Sequence, residues 1–200
     1  MKYLLATRNR KKLAELQRIL DAAPGVADVT IVGMDDVGDY VEVPETGLTF
    51  ADNALLKARE GVKHTGLPSI ADDSGLAVDV LGGMPGIFSA RWSGRHGDDE
   101  ANIDLLLAQV GDVPDEVLTA AFVCAAALVL PDGREFVTEG RMPGHLARAR
   151  RGMNGFGYDP IFVADGRTRT NGELDPAEKD AISHRGQAFR ALAEIVAGPA

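Results

Sequence analysis

The sequence predicts an α/β fold built on a mixed sheet, and three observations carry that prediction. Short apolar runs alternate with segments of helical periodicity. Two long segments, Leu118 to Leu130 and Arg134 to Leu146, flank the turn signal Pro131-Asp132-Gly133, which predicts a long antiparallel hairpin. A hairpin among alternating strands and helices excludes a purely parallel sheet. The 200 residues hold no internal repeat, low-complexity tract or long linker. One domain over 1–200 is therefore expected, long enough to bury roughly 70% of its unfolded surface.

Each element follows from its residues. Lys2-Tyr3-Leu4-Leu5-Ala6 reads as the first strand. Leu13, Leu16, Ile19 and Leu20 then recur at helical spacing, so Thr7 to Arg10 is a strand-to-helix loop. Val29-Thr30-Ile31-Val32 is a second strand. Thr49 and Asp52 have capping-box spacing and open a helix whose inner face is Phe50, Ala54, Leu55, Ala58 and Val62. Leu67 to Ala71 leads into a turn at Asp72-Asp73-Ser74-Gly75. A helix over 101–110 turns Ile103, Leu106, Leu107 and Val110 inward, and Asp159 to Val163 is one more short strand. Asp175-Pro176-Ala177-Glu178 supplies an N-cap, Pro at N1 and Glu at N3. The helix that follows has a break near Ser183 and stops at Gly198-Pro199.

Composition narrows the function classes. A net charge of -9 argues against a sequence-independent nucleic-acid binder, whose affinity comes from neutralising phosphates. A small polyphosphate can still bind where local cations and a metal ion overcome the global repulsion. The single Cys124 forms no internal disulfide and sits in the apolar run 121–130, as a buried strand residue of a reducing compartment does. That run is too short for a bilayer, which needs about 20 apolar residues. The N-terminus shows no basic-then-apolar-then-small pattern. A cytoplasmic protein without signal peptide or membrane partner is expected.

Four clusters carry chemistry. Thr7-Arg8-Asn9-Arg10-Lys11-Lys12 places four cations at a helix N-terminus, where free N–H groups and the helix dipole already favour an anion. Phosphate binding is the better reading of it, a solvated basic first turn the other. It is not a Walker A loop, since no glycine-rich run ends in Gly-Lys-Ser/Thr. Glu42, Glu45, Asp72 and Asp73 are the best oxygen ligands, and magnesium takes one or two carboxylates plus phosphate oxygens and water. If the strand persists, Asp72 and Asp73 point to opposite sides, and only one faces a shared site. Asn154-Gly155-Phe156-Gly157-Tyr158-Asp159-Pro160 offers two rings, fitted equally for stacking on a base or for the core. Ser183-His184-Arg185 offers donors to a carbonyl-bearing base, or simply starts a helix. Arg148, Arg150 and Arg151 read as a solvated loop. Neither a Gly-x-Ser-x-Gly elbow nor a zinc-ligand spacing is present.

Taken together, these residues resemble a known family. Thr7-x-Asn9-x-x-Lys12, Glu45-Thr46-Gly47-Leu48-Thr49-Phe50, Asn53-Ala54, Lys57-Ala58, Ala71-Asp72-Asp73-Ser74-Gly75-Leu76, Gly155 to Pro160, and Glu178-Lys179 with Ser183-His184-Arg185 are similar to the inosine/xanthosine triphosphate pyrophosphatases (Ham1/RdgB-like). The resemblance runs nearly end to end, with Arg8, Arg10 and Lys11 at variable positions. It implies two lobes around a central nucleotide-binding groove, usually a homodimer, and Mg2+ as cofactor. It implies hydrolysis of ITP, dITP and XTP to monophosphate and pyrophosphate, which cleanses the nucleotide pool. By the same resemblance Thr7, Arg8, Asn9, Arg10, Lys11 and Lys12 contact the triphosphate, and Asp73 is catalytic base and metal ligand, with Glu45 as second ligand. Ser74 assists, and Phe156, Gly157, Tyr158, Asp159, Lys179, His184 and Arg185 bind the nucleotide, chiefly its base. Two alternatives stay open: another nucleotide phosphohydrolase with a different base preference, and a nucleotide-binding regulator without turnover.

Overall fold

The computed structural model describes residues 1–24, 26, 29–38 and 43–197; the Lys11 side chain, Glu42 and Gly198-Pro199 lie outside the described residues. In chain order the elements are β1 (Lys2–Leu5), α1 (Arg10–Ala22), β2 (Thr30–Val32), α2 (Phe50–Thr65), β3 (Ser69–Val78), β4 (Met84–Pro85), α3 (Asp99–Gln109), β5 (Thr119–Val129), β6 (Glu135–Leu146), β7 (Phe162–Ala164), α4 (Pro176–Ile182) and α5 (His184–Ala197). The sheet runs β2-β1-β3-β5-β6-β7, with β4 paired to β3. β1 is parallel to β2 and β3, whereas β3–β4 and β6–β7 are antiparallel, so the sheet is mixed as predicted. The predicted hairpin is β5–β6. Its turn is closed by the Leu130 N–H on the Arg134 carbonyl (2.9 Å), and its far end by the Leu146 N–H on the Leu118 carbonyl (3.0 Å).

The chain divides into two compact units. One comprises 1–73, 124–140 and 185–200. Its core gathers the inner stripe of α1 (Leu13, Leu16, Leu20) with Tyr3, Leu5, Ile70, Cys124 and Phe189. A second cluster there sets Ala54 and Ala58 of α2 on Ala71, Ala125 and Ala127, small residues that let helix and strand approach closely. The other unit comprises 74–123 and 141–184. Its core packs Ile103, Leu106 and Val110 of α3 against Leu76, Phe122, Met142, Tyr158 and Phe162.

Two local expectations are corrected. No turn forms at Asp72-Asp73-Ser74-Gly75: β3 runs straight through it for ten residues. Neighbouring strands claim its backbone, and tertiary pairing overrides the local turn preference. Gly75 makes the close packing possible, because a Cβ there would come under 3.0 Å from Ser89 Oγ and the Gly86 carbonyl. The predicted strand over 159–163 begins as a 3-10 turn, Asp159–Ile161, and becomes extended only at Phe162. Pro160 fixes φ and lacks the N–H that a ladder would use. The other helix signals hold. Thr49 Oγ1 accepts the Asp52 N–H at 3.1 Å and the Asp52 carboxylate accepts the Thr49 N–H at 3.1 Å. The C-terminal helix breaks at Ser183, whose extended ψ of 143° separates α4 from α5.

Candidate active site

β3 carries two buried carboxylates in succession, and strand alternation sends them to different partners. Lys12 Nζ lies 2.8 Å from both Asp72 oxygens, and Arg185 Nε donates to Asp72 Oδ2 at 3.1 Å. Arg185 is itself partly buried, with Glu15 3.9 Å away. Burial alone would push the Asp72 carboxyl up. Lys12, Arg185 and Lys57 outweigh it and hold the group well below the usual carboxylate range.

Asp73 has a different environment. Asn53 Nδ2 donates to Asp73 Oδ2 at 3.1 Å, and Lys57 Nζ stands 3.5 Å from Asp73 Oδ1 and 2.9 Å from Glu45 Oε1. Asn53 and Lys57 lie one turn apart on α2, hence on one face. Asn53 Oδ1 also accepts the Gly47 N–H at 2.8 Å, which ties the Glu45–Gly47 segment to the helix. Burial, with Glu45 and Asp72 adding their charge, raises the Asp73 carboxyl against the opposing pull of Lys57 and Asn53. Lys57 is pulled down by burial but ends raised, because Asp73, Glu45 and Asp72 surround it. It is a fixed cation between two carboxylates.

The basic loop is already balanced by the chain's own acids. Arg8 pairs with Asp35, Arg10 reaches both oxygens of Asp36 (3.2 and 3.3 Å), and Lys12 takes Asp72. The loop itself is organised by its short polar residues. Thr7 Oγ1 accepts the Asn9 N–H at 3.2 Å, and Asn9 Oδ1 accepts the Lys12 N–H at 3.4 Å.

In the second unit the 154–159 loop splits its two rings. Phe156 is 60% exposed, with the Lys179 ammonium 4.9 Å from its ring centre. Tyr158 is buried in the core and its hydroxyl donates to the Ser89 carbonyl at 2.9 Å, so it is not presented for stacking. Burial first, then the charge of Asp99, pushes that hydroxyl up, so it remains a donor. Asp159, also buried, pairs with Lys179 and accepts from Asn171 Nδ2 (3.2 Å) and the Phe156 N–H (2.9 Å). Gly157 donates its N–H to Asp99 Oδ2 at 2.7 Å. His184 stacks on Phe122, ring centres 5.0 Å apart and 11° from parallel. Ser74, which follows Asp73 on β3, is half-buried.

The Ham1 family profile matches residues 3–195. The chain belongs to the Ham1 family. A dITP/XTP pyrophosphatase of Mycobacteroides abscessus is 65% identical over 192 residues, 96% of this chain and 93% of that one. One from Corynebacterium glutamicum is 59% identical over 201 residues, covering 98% and 97%. Among solved structures, the Coxiella burnetii HAM1 protein superposes with a TM-score of 0.91 at 39% identity, over 100% of both chains. The Mycobacterium abscessus nucleoside-triphosphatase (dITP/XTP pyrophosphatase) gives 0.82 at 64% identity, over 96% of this chain and 98% of that one.

Within this Ham1 fold, the structure brings Asp73, Glu45, Lys12, Asp72 and Arg185 together in one unit. Phe156, Gly157, Tyr158, Asp159, Lys179 and His184 gather in the other. Asn53 and Lys57 stand among the motifs of the resemblance, but nothing local beyond their i, i+4 interval marked the role they have beside Asp73. Asp99 and Asn171 gave no signal, because their contacts cross 58 and 12 residues. The Arg148, Arg150 and Arg151 cluster is a set of staples. Arg148 donates to the Val110 carbonyl at 2.9 Å, Arg150 to the Glu100 carbonyl (2.9 Å) and Asp104 (2.8 Å), and Arg151 lies 3.7 Å from Glu173. Among the described residues no three His, Cys, Asp or Glu side chains form a ready metal cage. Glu45 and Asp73 do converge on one cation, Lys57, and Asp73 is raised by burial first, with the charge of Glu45 and Asp72 adding to it. That donor pair fits Mg2+, which completes its shell with phosphate oxygens and water.

Proposed function

We propose that this chain hydrolyses ITP, dITP and XTP to the monophosphate and pyrophosphate, removing non-standard purines from the nucleotide pool. The observation that carries the mechanism is the contrast on β3: Asp72 is locked in ion pairs, while Asp73 is raised and aligned by Asn53. An ordinary Asp, with a pKa near ~3.9, is a weak base at neutral pH. The upward shift of Asp73 brings it closer to a useful base. Asp73 orients the attacking water toward the α phosphorus and accepts its proton as pyrophosphate departs. Asn53 fixes one Asp73 oxygen, and Lys57 keeps Asp73 and Glu45 at a common point. Glu45 and Asp73 would hold Mg2+, which would supply neutralisation of the triphosphate charge and polarisation of phosphorus.

Thr7, Asn9, Lys11 and Lys12 bind the triphosphate, with Arg8 and Arg10 exchanging carboxylate for phosphate partners, and Ser74 assists. Phe156 stacks on the base; Gly157, Asp159, Lys179, His184 and Arg185 shape or contact its site. The Tyr158 hydroxyl serves from behind, holding the loop rather than the base. Adenine presents an amino group where these purines present a 6-oxo group. Donors left unpaired cost on the order of 1–3 kcal/mol each, which supports discrimination against ATP. Residues 1–200 act as one domain of this kind, in the cytoplasm where the nucleotide pool lies, and as a homodimer. Light scattering at twice the chain mass would support that assembly, and a monomer would remove it.

Incubation with magnesium and, separately, ITP, XTP, GTP, ATP and dTTP tests the reading. Pyrophosphate and monophosphate from ITP and XTP alone are expected, and Asp73→Asn should lower turnover by about 10²-fold or more. Orthophosphate, or equal turnover of the standard nucleotides, would point to another phosphohydrolase. Tight binding without turnover would point to a regulator, and full activity in a folded Asp73→Asn protein would end the Asp73 assignment.

A further inference from the structure

We infer that Asp99, the first residue of α3, is a positioning residue that sets the conformation of the 154–159 loop and thereby the presentation of the Phe156 ring. This rests on the reading of that loop as the base-binding segment. Three observations in the second unit carry it. The Gly157 N–H donates to Asp99 Oδ2 at 2.7 Å, a charge-assisted bond to the residue directly after Phe156. Gly157 has φ of +57°, a left-handed conformation that a long-range anchor must hold against the freedom of glycine. The other fastenings hold different atoms. Asp159 takes the Phe156 N–H from behind, and Tyr158 is pinned through its hydroxyl to the Ser89 carbonyl. Among the described contacts Asp99 is the acceptor of the Gly157 N–H, while the carbonyl of that same peptide, on Phe156, accepts the Asp159 N–H at 3.3 Å within the turn.

The platform beneath is firm. Asp98 caps α3, its carboxylate accepting the Ala101 N–H at 3.2 Å, so Asp99 is spare for the loop. Arg150 straps the same helix to the segment just before the loop, through the Glu100 carbonyl and Asp104. With Asp99 in place, Phe156 stays exposed with the Lys179 ammonium at its ring. Without it the Gly157 N–H loses its acceptor, and Gly155 and Gly157, which flank Phe156, let the ring sample other orientations about the turn that Asp159 still closes, so an ordered stacking platform is lost.

The experiment compares Asp99→Ala, which removes the acceptor, with Asp99→Asn, whose amide oxygen can still accept the Gly157 N–H. Affinities for IMP and for inorganic pyrophosphate are read by calorimetry, steady-state ITP kinetics alongside, and Gly157 amide exchange by NMR. Asp99→Ala should weaken IMP about tenfold and raise KM by a similar factor. Pyrophosphate affinity and kcat should stay within twofold, and Gly157 exchange should accelerate. Asp99→Asn should restore most of each. Unchanged Gly157 exchange in Asp99→Ala overturns the anchor. Equal losses for IMP and pyrophosphate overturn the base-side role. An unmodified protein that binds neither IMP nor ITP overturns the nucleotide reading itself and with it the ring-presentation role, leaving the anchor to be decided by Gly157 exchange alone.

Discussion

Asp72 and Asp73 are adjacent and chemically identical, yet their surroundings push their carboxyls in opposite directions, and the physics of each makes a separate prediction. The folded pKa of Asp72 lies below its unfolded value near ~3.9. Its stabilisation is therefore complete above that pH and is lost as pH falls toward the folded value. Asp72→Asn leaves Lys12 and the partly buried Arg185 short of their counter-charge, a loss of about 3 kcal/mol at neutral pH by comparison with other broken buried pairs. Asp73 has a raised folded pKa, so its contribution is complete below ~3.9 and declines as pH rises through the folded value. Asp73→Asn should thus leave the metal-free protein at least as stable as its parent at pH 7. Thermal melts of both variants at pH 7 and pH 5 check the contrast, and equal losses would contradict it.

At the scale of elements, the site depends on β3 continuing past its own turn signal. Gly75 allows Ser89 Oγ to accept the Leu76 N–H at 2.9 Å, with Ser89 Oγ also donating to the Gly86 carbonyl at 2.6 Å. Gly75→Ala places a methyl group where those atoms sit, and overpacking of this kind costs about 1–3 kcal/mol. A lowered melting temperature is expected, with activity reduced beyond what stability explains because Asp73 lies two residues upstream. A melt unchanged from the parent would show that β3 adjusts freely there. The helix ends were easier to read than this strand. The boxes at Thr49–Asp52 and Asp175–Glu178 satisfy backbone donors within four residues, so their chemistry is written locally.

For the whole molecule, the balance of charge decides how metal and substrate bind. A chain of net charge -9 holds a polyanion only where cations are concentrated. The 7–12 loop supplies them, but Asp35, Asp36 and Asp72 already occupy three of its side chains. Chelation of divalent metal should abolish ITP hydrolysis, and added Mg2+ should restore it without refolding, since the hydrophobic clusters of both units pack without Glu45 or Asp73. Circular dichroism during chelation separates the outcomes: loss of fold along with activity would make the metal structural. Among the described residues no helix is long and apolar enough to cross a membrane.

The sequence by itself determined the mixed α/β order, the hairpin, the helix caps and the motifs that resemble the Ham1 family. All of these rest on periodicity, turn residues or local spacing. Only the resemblance singled out Asp73; local physics could not tell it from Asp72, nor Phe156 from Tyr158, because each pair is alike in local propensity. Tertiary structure separated them through partners distant in sequence. Lys12 and Arg185 reach Asp72 across 60 and 113 residues, and Ser89 reaches Tyr158 across 69. Burial and ion pairing are properties of what surrounds a side chain, and only the folded chain supplies those surroundings.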